Sequence, residues 1–333
     1  MIRRTPVILC GTAYLFVYIW YNKNHCIRII ERSLGMKYRF MLLLTALIWG
    51  CAFVAQRTIA DIMGPFSFNA LRFFVSSIAL IPLVFLLNHD TSTAQKQHMK
   101  KPSFFLICTA IGFFLFAGSA FQQIGLIYTT AGKASFITSL YIIAVPLLGL
   151  FLKNALRMSH LIGCLIAVIG LYLLTFHDTG TAVNMGDIFE LIGVFFWSCH
   201  ILCIGRFASD FPGVILSFGQ FIACTFFNGM AMLICGETLT WPMITASAIA
   251  ILYCGIFSSS VGYTLQIIAQ KHVPPTETSL LCSFEMIFGA LAGILLLGEW
   301  MSLREGIGCV FMAVGIFAAQ LPSRELIHFS KSC

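Results

Sequence analysis

The sequence predicts an all-α integral membrane protein with ten transmembrane helices arranged as two inverted five-helix repeats. Three observations carry that prediction. Of the 333 residues, 59% are hydrophobic and only 10% charged, against about a quarter charged in soluble globular domains. The apolar residues gather into ten segments near the ~20 residues that span a bilayer. The chain also repeats itself, because residues 159–174, SHLIGCLIAVIGLYLL, align without a gap on residues 304–319, REGIGCVFMAVGIFAA.

The duplication runs through both halves. Trp49 pairs with Trp197, Pro65 with Pro212, Gly118 with Gly262 and Gln122 with Gln266, at separations of 144 to 148 residues. A drift of that size is what changes in loop length produce in a repeat. The chain therefore divides into an N-terminal extension (1–35), a first repeat (36–176), a polar linker (177–186), a second repeat (187–322) and a tail (323–333) expected in the cytoplasm.

Taken in order, the extension fits the duplication nowhere, and its apolar run from Pro6 to Trp20 is short for a membrane helix. Met36, just before Lys37, Tyr38 and Arg39, is the expected functional start. The ten apolar segments follow at 41–58, 66–87, 104–127, 133–152, 160–176, 187–206, 213–235, 245–269, 276–297 and 303–321. Turn formers separate them, as in Met63-Gly64-Pro65, Phe211-Pro212-Gly213 and Val273-Pro274-Pro275. Only Asn88 to Ser103 is a long connection, and it is strongly polar.

Basic residues give the orientation. With the start of the first helix inside, Lys37, Arg39, Lys96, Lys100, Lys101, Lys153, Arg157, Arg206, Lys271, Arg324 and Lys331 all fall inside. Arg57, Lys133 and Arg304 fall outside. This positive-inside bias predicts a multi-pass protein of the cell membrane with both ends of the core cytoplasmic. Five helices per repeat is an odd number, so the second half begins on the opposite face and the repeats are inverted, a plan characteristic of secondary transporters.

Several function classes lose support. The 13 cysteines are scattered through apolar segments without a CxxC pair and read as small buried hydrophobes. The net charge of +7 is spread singly over loops, which gives no nucleic-acid surface. HExxH, GxSxG and P-loop motifs are all missing, so no catalytic residues, cofactor or metal ligands are expected. Cys199, His200 and Cys203 share a helix but lack a fourth ligand.

Polar residues inside apolar segments must face protein or water. They are Gln56, Asn69, Arg72, Gln122, Gln123, Glu190, His200, Gln220, Asn228, Gln266, Gln270 and Glu285. Gln122 and Gln266 stand out because they are equivalent across the halves. Arg72 reads as a snorkelling anchor reaching the outer interface, or as the partner of a carboxylate. Glu285, in the middle of TETSLLCSFEMIFGALAGILLLGE, has three open readings. It ties two helices together, couples transport to protons, or is the countercharge of a cationic solute. Trp49 and Trp197 suit either helix packing or the walls of a cavity for an organic solute.

The first helix LLLTALIWGCAFVAQ, the Pro65 turn with ALRFF, and the late segment ending LLLGEWMSLREGIGCVFMAVGIF resemble the drug/metabolite transporter superfamily, in its EamA-type branch. The resemblance covers about 41–321. It implies ten helices, alternating access and a central cavity, with Trp49, Gln122, Tyr141, Trp197, His200, Tyr263, Gln266 and Glu285 as the lining residues that bind substrate. Two departures are visible: the first repeat has Leu152-Lys153-Asn154 where the second has Gly298-Glu299, and the extension lies outside the pattern. The function expected is a secondary transporter moving a small organic solute or metabolite out across the cytoplasmic membrane. Its partners would be the lipid bilayer, the solute and, on the coupling reading of Glu285, protons. A membrane-embedded enzyme with a dispersed site and a nontransporting sensor or scaffold remain as alternatives.

Overall fold

A chain in lipid must satisfy its backbone N–H and C=O groups internally, so each apolar segment folds as a helix. The computed structural model describes residues 35–90, 99, 101–152, 156–175, 184–321 and 325–327. The extension before residue 35, most of the polar loop, the linker up to residue 183 and the rest of the tail lie outside the described residues.

The first half contains α1 (Gly35–Ile59), α2 (Pro65–Asp90) and α3 (Pro102–Tyr128). It continues with the interrupted pair α4 (Ala131–Thr138) and α5 (Tyr141–Gly149), then α6 (Met158–Thr175). The second half has α7 (Met185–Phe207), α8 (Gly213–Ile234) and the short α9 (Trp241–Ala246). Next come α10 (Ala248–Leu252), a π-helical stretch Tyr253–Tyr263 and α11 (Thr264–Gln270). The interrupted pair α12 (Pro275–Cys282) and α13 (Glu285–Ala292) precedes α14 (Leu303–Gln320). Proline opens α2, α3 and α12, where its missing N–H costs nothing.

Eight stretches are long and apolar enough to cross a membrane by length and composition: Gly35–Ile59, Pro65–Leu86, Pro102–Tyr128, Ala131–Leu152, Met185–Asp210, Gly213–Ile234, Ala248–Gln270 and Pro275–Leu297. Two shorter apolar helices, Met158–Gly170 and Gly306–Ala319, lie within α6 and α14. The protein is a multi-pass integral membrane protein, and large apolar side chains such as Phe85, Phe151 and Leu295 are exposed on its outside, where lipid would cover them.

The fold is helical as expected, with one small addition. β1 (Leu156–Arg157) pairs antiparallel with β2 (Glu325–Ile327). This ties part of the tail to the connection before α6 by main-chain hydrogen bonds that no side-chain pattern announces.

Two spans break at equivalent places. α4 stops before Ser139-Leu140 and α12 before Ser283-Phe284. In both, a serine hydroxyl bonds a helix carbonyl, Ser139 Oγ to Ser135 O at 2.8 Å and Ser283 Oγ to Leu280 O at 2.8 Å, in competition with the regular ladder. The breaks also touch, since Ser139 Oγ reaches Ser283 O at 3.2 Å. The segments that resume begin on Tyr141 and Glu285. The π-helical stretch frees further carbonyls: Trp49 Nε1 donates to Ser258 O at 2.9 Å and Ser76 Oγ to Gly255 O at 2.8 Å.

Packing joins the halves. α6 lies along α14, α3 along α7, α2 along α8, and α4 and α5 against α13 and α12. The α6–α14 contact needs glycine, because a Cβ added at Gly163 would meet Gly315 O at 2.5 Å and one at Gly315 would meet Gly163 O at 2.7 Å. Small residues let membrane helices approach this closely. The largest buried cluster takes Leu42, Phe73 and Tyr141 from the first half with Trp197, Tyr263 and Met286 from the second, so the core sits on the boundary.

Candidate functional site

At that boundary lies a cavity lined by Trp49, Phe53, Gln56, Arg72, Gln122, Thr138, Tyr141, Trp197, His200, Ser258, Tyr263, Gln266 and Glu285, among others. All eight residues singled out from the sequence are there. The cavity is small: its volume is about 30 Å³, room for about two water molecules.

Aromatic rings form one wall. Tyr263 stands between the two tryptophans, 4.8 Å from Trp49 and 6.1 Å from Trp197 between ring centroids. His200 meets Tyr263 edge-on at 5.7 Å, and its Nε2 shares a 2.9 Å hydrogen bond with Gln220 Oε1. The tryptophans are seated alike. A Cβ added at Gly118 would come within 2.9 Å of the Trp197 ring, and one at Gly262 within 2.6 Å of Trp49 Nε1. Gly118 and Gly262 are themselves equivalent, so each half offers a glycine notch to the other half's tryptophan.

The remaining walls are polar. Glu285, 3% exposed, sits at the resumption point of its broken span. The Tyr141 phenol lies beside its carboxyl, short of a well-aligned hydrogen bond, and Glu285 Oε1 has no hydrogen-bond partner. Both side-chain amide atoms of Gln266 are also unpartnered, as is Trp197 Nε1. Gln122 Nε2 donates to Thr138 Oγ1 at 3.4 Å, and Thr138 Oγ1 donates to Glu190 Oε2 at 3.0 Å. Unsatisfied buried polar groups are rare in folded proteins and call for a partner. Those of Glu285, Gln266 and Trp197 belong to residues that line one space.

Arg72 corrects the sequence reading. It does not snorkel: it is 2% exposed and lines the cavity. Its Nη1 donates to Gln56 Oε1 at 3.1 Å, and its guanidinium lies over the rings of Phe73 and Phe68, 4.7 and 5.5 Å from their centroids. Thr138, Gln56 and Glu190 were not singled out as site residues. For Gln56 and Arg72 a signal existed, since they lie at similar distances on either side of the Pro65 turn, where antiparallel helices bring residues together.

Two charged pairs join the halves. Lys133 Nζ lies 2.9 Å from Asp187 Oδ2, joining α4 to α7. Arg39 Nε pairs with Glu277 Oε1, joining α1 to α12, and beside it Tyr38 stacks on His272 at 4.0 Å. Near Lys133, a second cavity of about 340 Å³ is lined by Arg57, Tyr128, Thr130, Lys133, Glu299 and Trp300.

Glu299 closes this region by capping a helix. Gly298, at φ +65°, turns the chain back, and the Glu299 carboxylate accepts from Ala131 N at 2.8 Å and Gly132 N at 3.0 Å. A carboxylate at a helix N-terminus satisfies free N–H groups and opposes the helix dipole. Gly236-Glu237 repeats the device. Gly236 has φ +68°, and Glu237 accepts from Phe66 N at 3.2 Å and Ser67 N at 2.7 Å at the start of α2. Both capping glutamates belong to the second half, and both capped helices to the first.

A polar, aromatic-walled cavity inside an apolar helical bundle defines a membrane protein built to handle a small solute. The profile of the EamA-like transporter family matches residues 36–176 and 184–319, and the chain belongs to that family. Similar proteins include an uncharacterized transporter of Archaeoglobus fulgidus, 28% identical over 281 residues and 84% of each chain. A WAT1-related chloroplastic protein of Arabidopsis thaliana is 26% identical, over 82% of this chain and 67% of its own. One solved crystal structure superposes with a TM-score of 0.67 at 18% identity, over 86% of this chain and 96% of its own, which shows a shared fold. Family and relatives support membrane transport of small solutes.

Proposed function

We propose that this protein is a secondary transporter that exports a small organic solute across the cell membrane by alternating access. In this reading ten membrane helices form two inverted repeats, and the eight cavity residues named from the sequence contact the solute. The observation that carries it is the equivalence of the two charged pairs. Arg39 and Asp187 are 148 positions apart, the separation of Trp49 and Trp197, while Lys133 and Glu277 are 144 apart, the separation of Gln122 and Gln266. The two pairs are therefore one contact made twice, with the signs exchanged. Related halves that close opposite ends of a cavity by one contact are the parts alternating access uses. The serine breaks and the glycine notches for the tryptophans support the same relation.

The distribution of basic residues supports cytoplasmic ends for the core. Thiol probes placed in loop 88–103 should react only from the cytoplasmic side, and labelling from outside would reverse the orientation.

Glu285 is proposed to bind and release a proton as the cavity changes access. An ionised carboxylate in the middle of a span costs at least ~2.5 kcal/mol on insertion scales, and its unpartnered oxygen faces the solute space. The test is a screen of small solutes in proteoliposomes, with and without an imposed pH gradient, for the wild type and Glu285→Gln. Transport by the wild type should respond to the gradient, and the variant should fold but lose that response. Identical gradient dependence in both proteins would leave Glu285 as packing. Failure of the folded wild type to move any solute would count against transport itself.

A further inference from the structure

Arg72 is a cation in the wrong company for a structural brace. Among the described residues no carboxylate lies within ion-pair distance of it, and its single oxygen acceptor is Gln56 Oε1. Its Nε and Nη2 are buried without a hydrogen-bond partner. The groups beside them are the rings of Phe68 and Phe73 and the thiol of Cys254, and a thiol is a weak acceptor. A bracing arginine would be expected to hold a carboxylate or several carbonyls, because a buried charge is stable only when paired and hydrogen-bonded. Here the two free positions belong to the planar guanidinium fork, and the residue lines the central cavity.

The rest of the lining says what would complete the fork. Trp197 Nε1 and the Gln266 amide nitrogen are further unpartnered donors, and the rings of Trp49, Trp197 and Tyr263 supply an apolar wall. Glu285 Oε1 and Gln266 Oε1 are lining acceptors left without a donor. Arg binds carboxylates through two parallel N–H bonds, whereas it gains nothing comparable from a neutral amide.

We propose that Arg72 is the docking point for an oxyanion on the transported solute, so that the cargo is a small organic acid with an apolar body. When the cavity widens to admit the solute, the carboxylate meets Nε and Nη2, the body lies along Tyr263 and the tryptophans, and a hydroxyl or other donor at the far end reaches Glu285. Phe68 and Phe73 keep water from the guanidinium, which strengthens the contact when the cavity is closed. This rests on the cavity being the solute site, as proposed above.

The test measures equilibrium binding to the detergent-solubilised full-length protein and so does not depend on transport. Tryptophan fluorescence would follow titration with a panel of monocarboxylates, 4-hydroxyphenylacetate, 6-hydroxyhexanoate and phenylacetate, each paired with its neutral primary amide. The wild type should bind at least one acid about tenfold more tightly than its amide. Arg72→Gln should abolish that preference, and Arg72→Lys, which keeps the charge but not the fork, should reduce it. No preference for any acid over its amide in the wild type, or a preference that survives Arg72→Gln, would overturn the proposal. Should Arg72→Gln fail to fold, the acid-against-amide comparison in the wild type decides alone. Transport of neutral solutes unaffected in Arg72→Lys, with no preference for acids, would end this inference and leave the transporter reading standing.

Discussion

The two charged pairs occupy equivalent positions and differ in surroundings. The side chains of Lys133 and Asp187 are 11% and 1% exposed, those of Arg39 and Glu277 50% and 35%. Exposed pairs contribute about 0–1 kcal/mol and weaken with salt. A buried pair is held far more firmly against loss of one partner, because the charge left behind has no water to turn to. The difference teaches that duplicated contacts need not be equal: under the proposed alternating-access reading, the end held by Arg39 and Glu277 would open at little cost, and the end held by Lys133 and Asp187 would resist.

The largest effect should come from the buried pair. Lys133→Ala removes the ammonium from a carboxylate sealed in protein and is expected to destabilise by about 3–5 kcal/mol, read as a lower melting temperature in detergent. A melting temperature unchanged within error would mean the pair does no bracing, and the comparison would collapse.

An intermediate effect is expected at the cap beneath it. Glu299 holds the start of α4, the helix that carries Lys133. Glu299→Ala should cost about 1–2 kcal/mol, and Glu237→Ala a similar amount at α2. If the Glu299 cap also sets the position of Lys133, then Lys133→Ala combined with Glu299→Ala should cost less than the sum of the single changes, and strict additivity would separate the two.

Arg39→Ala should change stability least, by under about 1 kcal/mol. Its signature is access: a membrane-impermeant thiol reagent applied to the Arg39 end should reach a cysteine placed at Ser258 faster than in the Arg39-intact protein, and high salt should mimic the change. Equal labelling rates with and without Arg39 would show that this pair is not a door.

Some cavity residues were legible in the sequence through the repeat or the cost of burial, while Tyr141 and Tyr263 were named only through the resemblance to the family. Trp49 with Trp197 and Gln122 with Gln266 are matched pairs, and Glu285 is too polar for its depth to be ignored. Arg72 was misread because depth along a helix says nothing of the direction around its axis. Its side chain was free on paper to climb to the interface, and the packing of α2 against α8 and the π-helical stretch turned it inward. Glu190 was counted among the polar residues but not joined to Thr138, because that hydrogen bond spans 52 positions.

By itself the sequence determined the class of the protein, the ends of most helices within a few residues and the duplication, since these depend on apolar runs, prolines and fixed spacing. Tertiary structure decided which charges pair, which glutamates cap which helices and which polar groups are left facing the cavity. Those contacts join residues far apart in the chain, such as Arg39 and Glu277 or Ala131 and Glu299. Their energies arise only when folding removes water from between them.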